Sequence, residues 1–412
     1  VSEVTGDSLA TQTVITAEQK KFLTEVLTYY QEFARENADD EKTRRRTAHA
    51  AHRVGTIERR LGRMEESAAA SRRARDGYAA LAAEFPAVPA YRQDLATNQN
   101  NLGLLLADLG KRPEAEEQYR KALTIKEKLA ADFPAVPNYR FDLARSHNNL
   151  GTLLANLGKR PEAEEQFRRA LAIREKLAAE FPAVPAYCQD LARSQHNLGI
   201  LLLDMGKGPE AEERYRKALT IEEKLAAEFP AVPEYRQEFA NSHNNLGNLL
   251  ADLGKRPEAE EQHRKGLAIQ EKLAADFPAV PDYREELAAS HYNLGALLNG
   301  LGKRPEAEEQ YRKGLAIVEK LAAEFPAVPA YRQKLAMNHT NLGILLKELG
   351  KRPEAEEHYR MALTIQEKLV AEFDADPAYR VNLGGSYCNY GALVSDGGKP
   401  ADSLEWYTKA IR

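Results

Sequence analysis

The sequence predicts an all-α protein, a solenoid of tandem helical hairpins. Three observations carry this. Pro86, Pro134, Pro182, Pro230, Pro278 and Pro326 stand 48 residues apart, and the series that begin at Pro89 and Pro113 keep the same step, so that only Pro400 of 20 prolines leaves the grid. Between these prolines, apolar residues recur at spacings of three and four, the pattern of a helix with one buried face. A fixed period of this size marks repeats that bury their apolar faces only against their neighbours.

The elements follow from the residues in chain order. Residues 1–15 are expected to be flexible. Thr16 then caps a helix, with Gln19 three residues on in capping-box spacing. That helix, 17–36, carries Phe22, Val26, Tyr29 and Phe33 on the face expected to cover the first full repeat, and residues 16–40 are read as an N-terminal capping segment. Residues 41–412 form an array of about eight 48-residue repeats. The first is degenerate, marked by Arg53, Val54, Gly55 and Ser67 and lacking the initial proline, as terminal repeats often do.

In a typical repeat, helix A is expected from Asn138 to Leu157, with Tyr139, Leu143, His147, Leu150, Leu154 and Leu157 on one face. Gly158 supplies a left-handed C-terminal cap and Lys159-Arg160 the turn. Helix B starts at Pro161, a residue suited to the first helical position, with Glu162, Glu164 and Glu165 at the positive end of its dipole. Its buried face is expected at Ala163, Phe167, Ala170, Ile173, Leu177 and Phe181, before the stop at Pro182 and Pro185. The last helix B begins near Pro400 and ends at Arg412, short of its equivalents, so the chain is expected to continue, and a start at Val1 points to residues upstream.

Composition excludes several function classes. Lys and Arg number 58 against 62 Asp and Glu, a net charge of −4, which gives no basic excess for nucleic acid. No stretch approaches the roughly 18 apolar residues of a membrane span. Cys188 and Cys388 are too few and too distant in sequence for a disulfide framework or a four-ligand zinc site, in keeping with a reducing compartment, and a cytoplasmic location is expected. Nucleophile elbow, H-E-x-x-H and P-loop motifs are missing, so neither catalysis nor a cofactor nor a metal is expected.

Asn149-Leu150-Gly151, Ala163, Phe167 and Arg169-Ala170-Leu171 resemble the tetratricopeptide repeat signature, and the same set recurs from Asn101-Leu102-Gly103 onward, with a looser copy at Asn389-Tyr390-Gly391. Small Gly and Ala positions let the two helices approach while the aromatic ring fills the gap. The usual unit is about 34 residues, so each repeat here carries about 14 more, lengthening both helices. This resembles the long-helix arrays of kinesin light chains. The N-terminal stretch FLTEVLTYYQEFARENADD and units ending in AEFPAVPAYRQDLA are similar to repeat regions that follow the catalytic domain in planctomycete-type bacterial serine/threonine kinases. No kinase motif is present, so any such domain would lie outside these residues.

The resemblance implies a right-handed α-solenoid with a concave groove lined by the A helices and an asparagine ladder gripping the backbone of an extended peptide. The ladder is Asn101, Asn149, Asn197, Asn245, Asn293, Asn341 and Asn389, flanked by Asn100, Asn148, Asn244 and Tyr292, and by Leu104, Thr152, Ile200 and Asn248 one turn on. An amide offers one acceptor and two donors, which matches a peptide C=O and N–H together. The alternative is that these amides hold neighbouring repeats together. A histidine column, His147, His243, His291 and His339, is expected to pack rather than bind metal. The functional expectation is a protein–protein scaffold with a protein or peptide partner, free of nucleic acid and membrane. Its rival is end-to-end self-assembly through near-identical repeats.

Overall fold

The computed structural model describes residues 17–33, 40–374 and 376–411. Among the described residues there are seventeen helices and no strand, and the fold is an all-α solenoid. The chain divides into two compact blocks, Val1–Lys207 and Gly208–Arg412. The first holds α1 (Ala17–Phe33), α2 (Glu41–Arg60), α3 (Met64–Glu84), α4 (Pro89–Asp108), α5 (Arg112–Asp132), α6 (Pro137–Asn156), α7 (Arg160–Glu180) and α8 (Pro185–Asp204). The second holds α9 (Gly208–Glu228), α10 (Pro233–Asp252), α11 (Arg256–Asp276), α12 (Pro281–Gly300), α13 (Arg304–Glu324), α14 (Pro329–Glu348), α15 (Arg352–Glu372), α16 (Pro377–Asp396) and α17 (Pro400–Ile411). From α2 onward, even-numbered helices are A and odd-numbered helices are B. Residues 1–15, Thr16 and Glu36, to which a flexible segment, a cap and a helix end were assigned, lie outside the described residues.

Each A helix from α4 to α14 opens on a proline and runs 20 residues, and each B helix from α3 to α15 runs 21. The turn after α6 shows how A closes. Gly158 takes φ +73°, and the Lys159 N–H reaches back to the Leu154 carbonyl at 2.9 Å, the bond of a Schellman cap. Helix α7 starts one residue before Pro161, at Arg160. At the far end the Val184 N–H closes on the Phe181 carbonyl at 3.0 Å, and the Phe181 and Tyr187 rings meet edge to face, 5.8 Å apart, so that each corner carries its own small apolar contact.

Helix A packs on helix B through glycine. A Cβ on Gly151 would stand 2.9 Å from the Phe167 ring, and one on Gly295 would stand 2.8 Å from Tyr311. Helix B has two buried faces, not the single face expected. Ala163, Phe167, Ala170 and Leu177 are buried as anticipated, whereas Ile173 and Phe181 are half-buried, and Gln166, Leu171 and Arg174 are buried as well. The reason is geometric: α7 lies between α6 and α8, so opposite sides of one helix are covered.

This second interface produces a register position at which the repeats differ. Tyr78, Lys126, Arg174, Glu222, Gln270, Val318 and Gln366 occupy it in successive repeats and all are buried. Lys126 reaches only the Asp142 carbonyl, at 3.4 Å, and burial lowers its ammonium pKa to about 8. Arg174 is better held: it donates to the Asp190 carbonyl at 3.0 Å and to the Ser194 hydroxyl at 2.6 Å.

On the surface, ion pairs join one repeat to the next. Glu116 receives Arg120 at 2.8 Å from its own helix and Lys159 at 2.9 Å from the following turn, and Arg120 continues to Glu162 at 3.1 Å. The motif recurs in the second block around Glu212, Glu260 and Glu308. Each exposed pair is worth roughly 0–1 kcal/mol, so these links tune the stacking register more than the stability.

Helix α1 sits on α2, but not by the expected face. Leu23 and Leu27 are buried against Val54, Ile57 and Ala70, with Val26 and Tyr30 partly buried beside them. Phe22, Tyr29 and Phe33 lie on the neighbouring stripe and line an open cleft instead. A stripe drawn through the aromatics is offset by one residue from the leucines, and it is the leucines that join the apolar cluster of Val54, Ile57 and Ala70 on α2 and α3.

Candidate functional site

Within each block, successive A helices touch one another, α4 with α6, α10 with α12 and α14 with α16, while no pair of successive B helices is comparably close. The repeats are therefore drawn together on the A side, and the A helices form the inner wall. Asn101 and Asn245 are exposed on that wall, and Asn149, Asn197, Asn293, Asn341 and Asn389 are half-buried. One turn on, Leu104 and Ile200 project to 39% and 50% exposure.

The ladder is not uniform. In the first block the Asn149 side-chain amide donates to the side-chain oxygen Oδ1 of Asn100 in the preceding repeat at 3.2 Å, and Asn197 donates to Oδ1 of Asn148 at 2.8 Å. In the second block Asn245, Asn293 and Asn341 make no side-chain hydrogen bond among the described residues. Two flanking residues depart from expectation. Asn100 and Asn244 are buried, because a step of one residue on a helix turns the side chain by about 100°, here from the groove toward the adjoining repeat. Asn244 donates to the Ser290 hydroxyl at 2.9 Å and lies 3.3 Å from His263 Nδ1. Asn148 is half-buried, and Tyr292 stacks on Tyr311 at 5.6 Å.

The histidine column is internal. His147, His243 and His291 each place Nδ1 2.8 Å from the side-chain oxygen Oε1 of a glutamine on the B helix of the same repeat, Gln166, Gln262 and Gln310. His339 meets His358 instead, Nδ1 to Nδ1 at 2.9 Å. Burial depresses the pKa of each, to about 4 for His339, which keeps the rings neutral at pH 7. Among the described residues no three His, Cys, Asp or Glu side chains group as a metal site requires.

One feature of the groove escaped the sequence reading. His263 stands where the neighbouring repeats place Tyr215 and Tyr311, and its smaller ring opens a cavity of about 490 Å³ lined by Asn248, Asn293, Arg256 and Ala296. The signal was present as a break in an otherwise aromatic column. Burial holds the His263 pKa at about 4, so it acts there as a neutral ring. The resulting pocket presents the amides of Asn248 and Asn293 beside Arg256 and Asp252.

The tetratricopeptide repeat profile matches the chain at residues 95–135, 143–181, 191–231, 239–279, 287–325 and 340–376, more than half its length. The chain belongs to the tetratricopeptide repeat family. Among solved structures, the apo form of RapI is 14% identical with a TM-score of 0.57, over 95% of this chain and 92% of RapI. A signal transduction ATPase with numerous domains and a tetratricopeptide repeat sensor, from Pyrococcus horikoshii, is 14% identical with a TM-score of 0.54, over 97% of this chain and 53% of that one. BtubC (BKLC) from P. vanneervenii is 24% identical with a TM-score of 0.49, over 63% of this chain and 92% of its own. At these identities the likeness to RapI and to the Pyrococcus horikoshii ATPase concerns the fold alone. No curated protein matches. The repeat fold in general mediates protein–protein interaction and is typically non-catalytic, and no helix among the described residues is long and apolar enough to cross a membrane.

Proposed function

We propose that the protein is a non-catalytic scaffold that binds an extended peptide or partner segment along the groove of its A helices. The array of residues 41–412 does the binding and residues 16–40 cap it. The observation that carries this reading is the set of unpartnered amides: Asn245, Asn293 and Asn341 stand on the inner wall with acceptor and both donors available to a peptide backbone. Asn248 and the pocket beside His263 supply a place for one side chain of the ligand. The resemblance to repeat regions of bacterial kinases supports a role as the accessory region of a larger signalling protein, and two distant cysteines support a cytoplasmic setting.

The test is panning of a phage-displayed random peptide library against the full chain, followed by titration of the enriched peptide. Asn245→Ala with Asn293→Ala is expected to weaken binding about tenfold or more with the melting temperature unchanged. A lowered melting temperature with unchanged binding would return these amides to a bracing role. A second reading, end-to-end assembly, is supported by Val381, Leu404 and Ile411 on the last hairpin, at 73%, 64% and 88% exposure. Light scattering over a concentration range separates the two: growth of mass with concentration favours assembly, and a constant monomer favours the scaffold.

A further inference from the structure

In the repeat formed by α14 and α15 two register positions change together. The place of His358 is held by Gln118, Gln166, Arg214, Gln262 and Gln310 in the preceding repeats, and the place of Met361 by lysine or arginine throughout. Both changes act on one surface. In the preceding repeats the basic residue pairs with the glutamate four residues before it, as in Lys217 with Glu213 at 2.6 Å and Lys313 with Glu309 at 2.7 Å. Met361 removes that pair, which leaves Glu357 without an ion-pair partner among the described residues and the thioether 41% exposed. Met361, Glu357 and His339 line one hollow of about 670 Å³. His358 precedes Met361 by three residues on α15, so the two side chains are neighbours on one helix face.

His339 also differs in kind from His147, His243 and His291. Each of those meets a glutamine oxygen, an atom that can only accept, whereas His339 Nδ1 meets His358 Nδ1 at 2.9 Å, with the ring centroids 5.2 Å apart. One ring donates Nδ1–H and the other offers a lone pair. Shifting that proton to the donor ring's own Nε2 turns both Nδ1 lone pairs toward one point without any change of net charge. An ion about 2.0–2.1 Å from each nitrogen, at a trigonal or tetrahedral angle, would hold them roughly 3.3–3.6 Å apart. The rings then need to part by well under an ångström.

We propose that His339, His358 and Met361 form a binding site for monovalent copper. Two imidazoles and a thioether make a soft, neutral ligand set that suits Cu(I), whereas zinc takes nitrogen, thiolate and carboxylate ligands. Among the described residues no third His, Cys, Asp or Glu side chain is grouped with the two histidines to supply such a ligand. Glu357, released from its usual partner, offsets the charge of the ion from the rim of the hollow, and the exposed thioether marks the way in. None of the ladder asparagines takes part, so the site is independent of peptide binding.

The experiment is an anaerobic titration of the full chain carrying Cys188→Ser and Cys388→Ser, so that no thiol competes. Cu(I) is supplied as its coloured bicinchoninate complex, and the fall in absorbance reads the copper withdrawn. One equivalent per chain is expected, with nitrogen and sulfur neighbours in the X-ray absorption spectrum of the bound copper. Met361→Lys and His358→Gln restore residues found in the other repeats, which favours folding, and circular dichroism checks it. Each is expected to weaken uptake about tenfold or more, since the loss of even an outer-shell partner costs about that much. Asn245→Ala with Asn293→Ala is expected to leave uptake unchanged. Should the serine background unfold, the comparison of the unaltered chain with its Met361→Lys variant decides the matter, the expected difference being one equivalent. The proposal is overturned by an absence of copper uptake, by uptake that Met361→Lys or His358→Gln leaves unchanged, by a spectrum without a sulfur neighbour, or by tighter binding of Zn(II) than of Cu(I) in direct competition.

Discussion

Replacing Lys126 by methionine should stabilise the protein, although it deletes a charged group that touches a neighbouring repeat. Lys126 is 1% exposed, and its single hydrogen bond, to the Asp142 carbonyl, is long at 3.4 Å. Its pKa falls from 10.5 to about 8, chiefly through burial and only partly offset by Asp142, and a difference of that size corresponds to about 3 kcal/mol of penalty on the charged form. The sign follows from linkage. Between about pH 8 and 10.5 the unfolded chain holds this proton and the folded chain does not, so stability rises with pH across that window. Below it the whole penalty is present. Methionine keeps the unbranched shape without the charge, and the expected gain at pH 7 is about 1–3 kcal/mol. Arg174, at the same position one repeat later, is the internal control. It holds the Asp190 carbonyl and the Ser194 hydroxyl, and Arg174→Met should cost about 3 kcal/mol by leaving those groups unpaired. Urea denaturation followed by circular dichroism at pH 7, and again across pH 8–10.5, measures both. The reasoning fails if Lys126→Met is destabilising, or if the variant keeps the rise in stability between pH 8 and 10.5.

Two further predictions rest on packing and on buried imidazoles. His263 and His339 titrate near 4 in the folded chain and near 6.5 when unfolded, so the unfolded state binds more protons as pH falls from 6.5 toward 4 and stability declines over that interval, by up to about 3 kcal/mol for each ring. His263→Tyr with His339→Gln, residues found at these positions in other repeats, should flatten the acid limb of a stability–pH curve, and an unchanged limb would contradict this. Gly151→Ala should lose about 1 kcal/mol, since its methyl meets the buried Phe167 ring at 2.9 Å and overpacking outweighs helix propensity, while Gly385→Ala, which meets nothing within 4 Å, should gain about 0.5–1 kcal/mol. Urea midpoints that move together would refute the steric account.

The features legible in the sequence were those a period imposes. The proline grid places the hairpins from α4 onward, and Gly158 and its 48-residue copies mark turns where a positive φ is needed. What stayed hidden depended on which neighbour a side chain meets. Lys126 lies in the run TIKEKLAADF, which reads as solvated charge, and only the arrival of α6 on the far side of α5 buries it. The α1 aromatics read as its buried face because they are large, yet the leucines one residue on join the cluster of Val54, Ile57 and Ala70 beneath. The asparagine ladder was visible as a column, but whether an amide faces the groove or the adjoining repeat turns on distances between A helices that no spacing along the chain encodes.

The two bonds that Asn149 and Asn197 make to the preceding repeat have a mechanical consequence. They cross between A helices, so a pull that opens the inner wall of the first block strains them directly, while the ion pairs along the B helices can follow by rotating long side chains. Extension of that block would part both amides from the side chains they hold. The ladder thereby sets the stiffness of the inner wall in the first block, where its amides act as struts between neighbouring A helices.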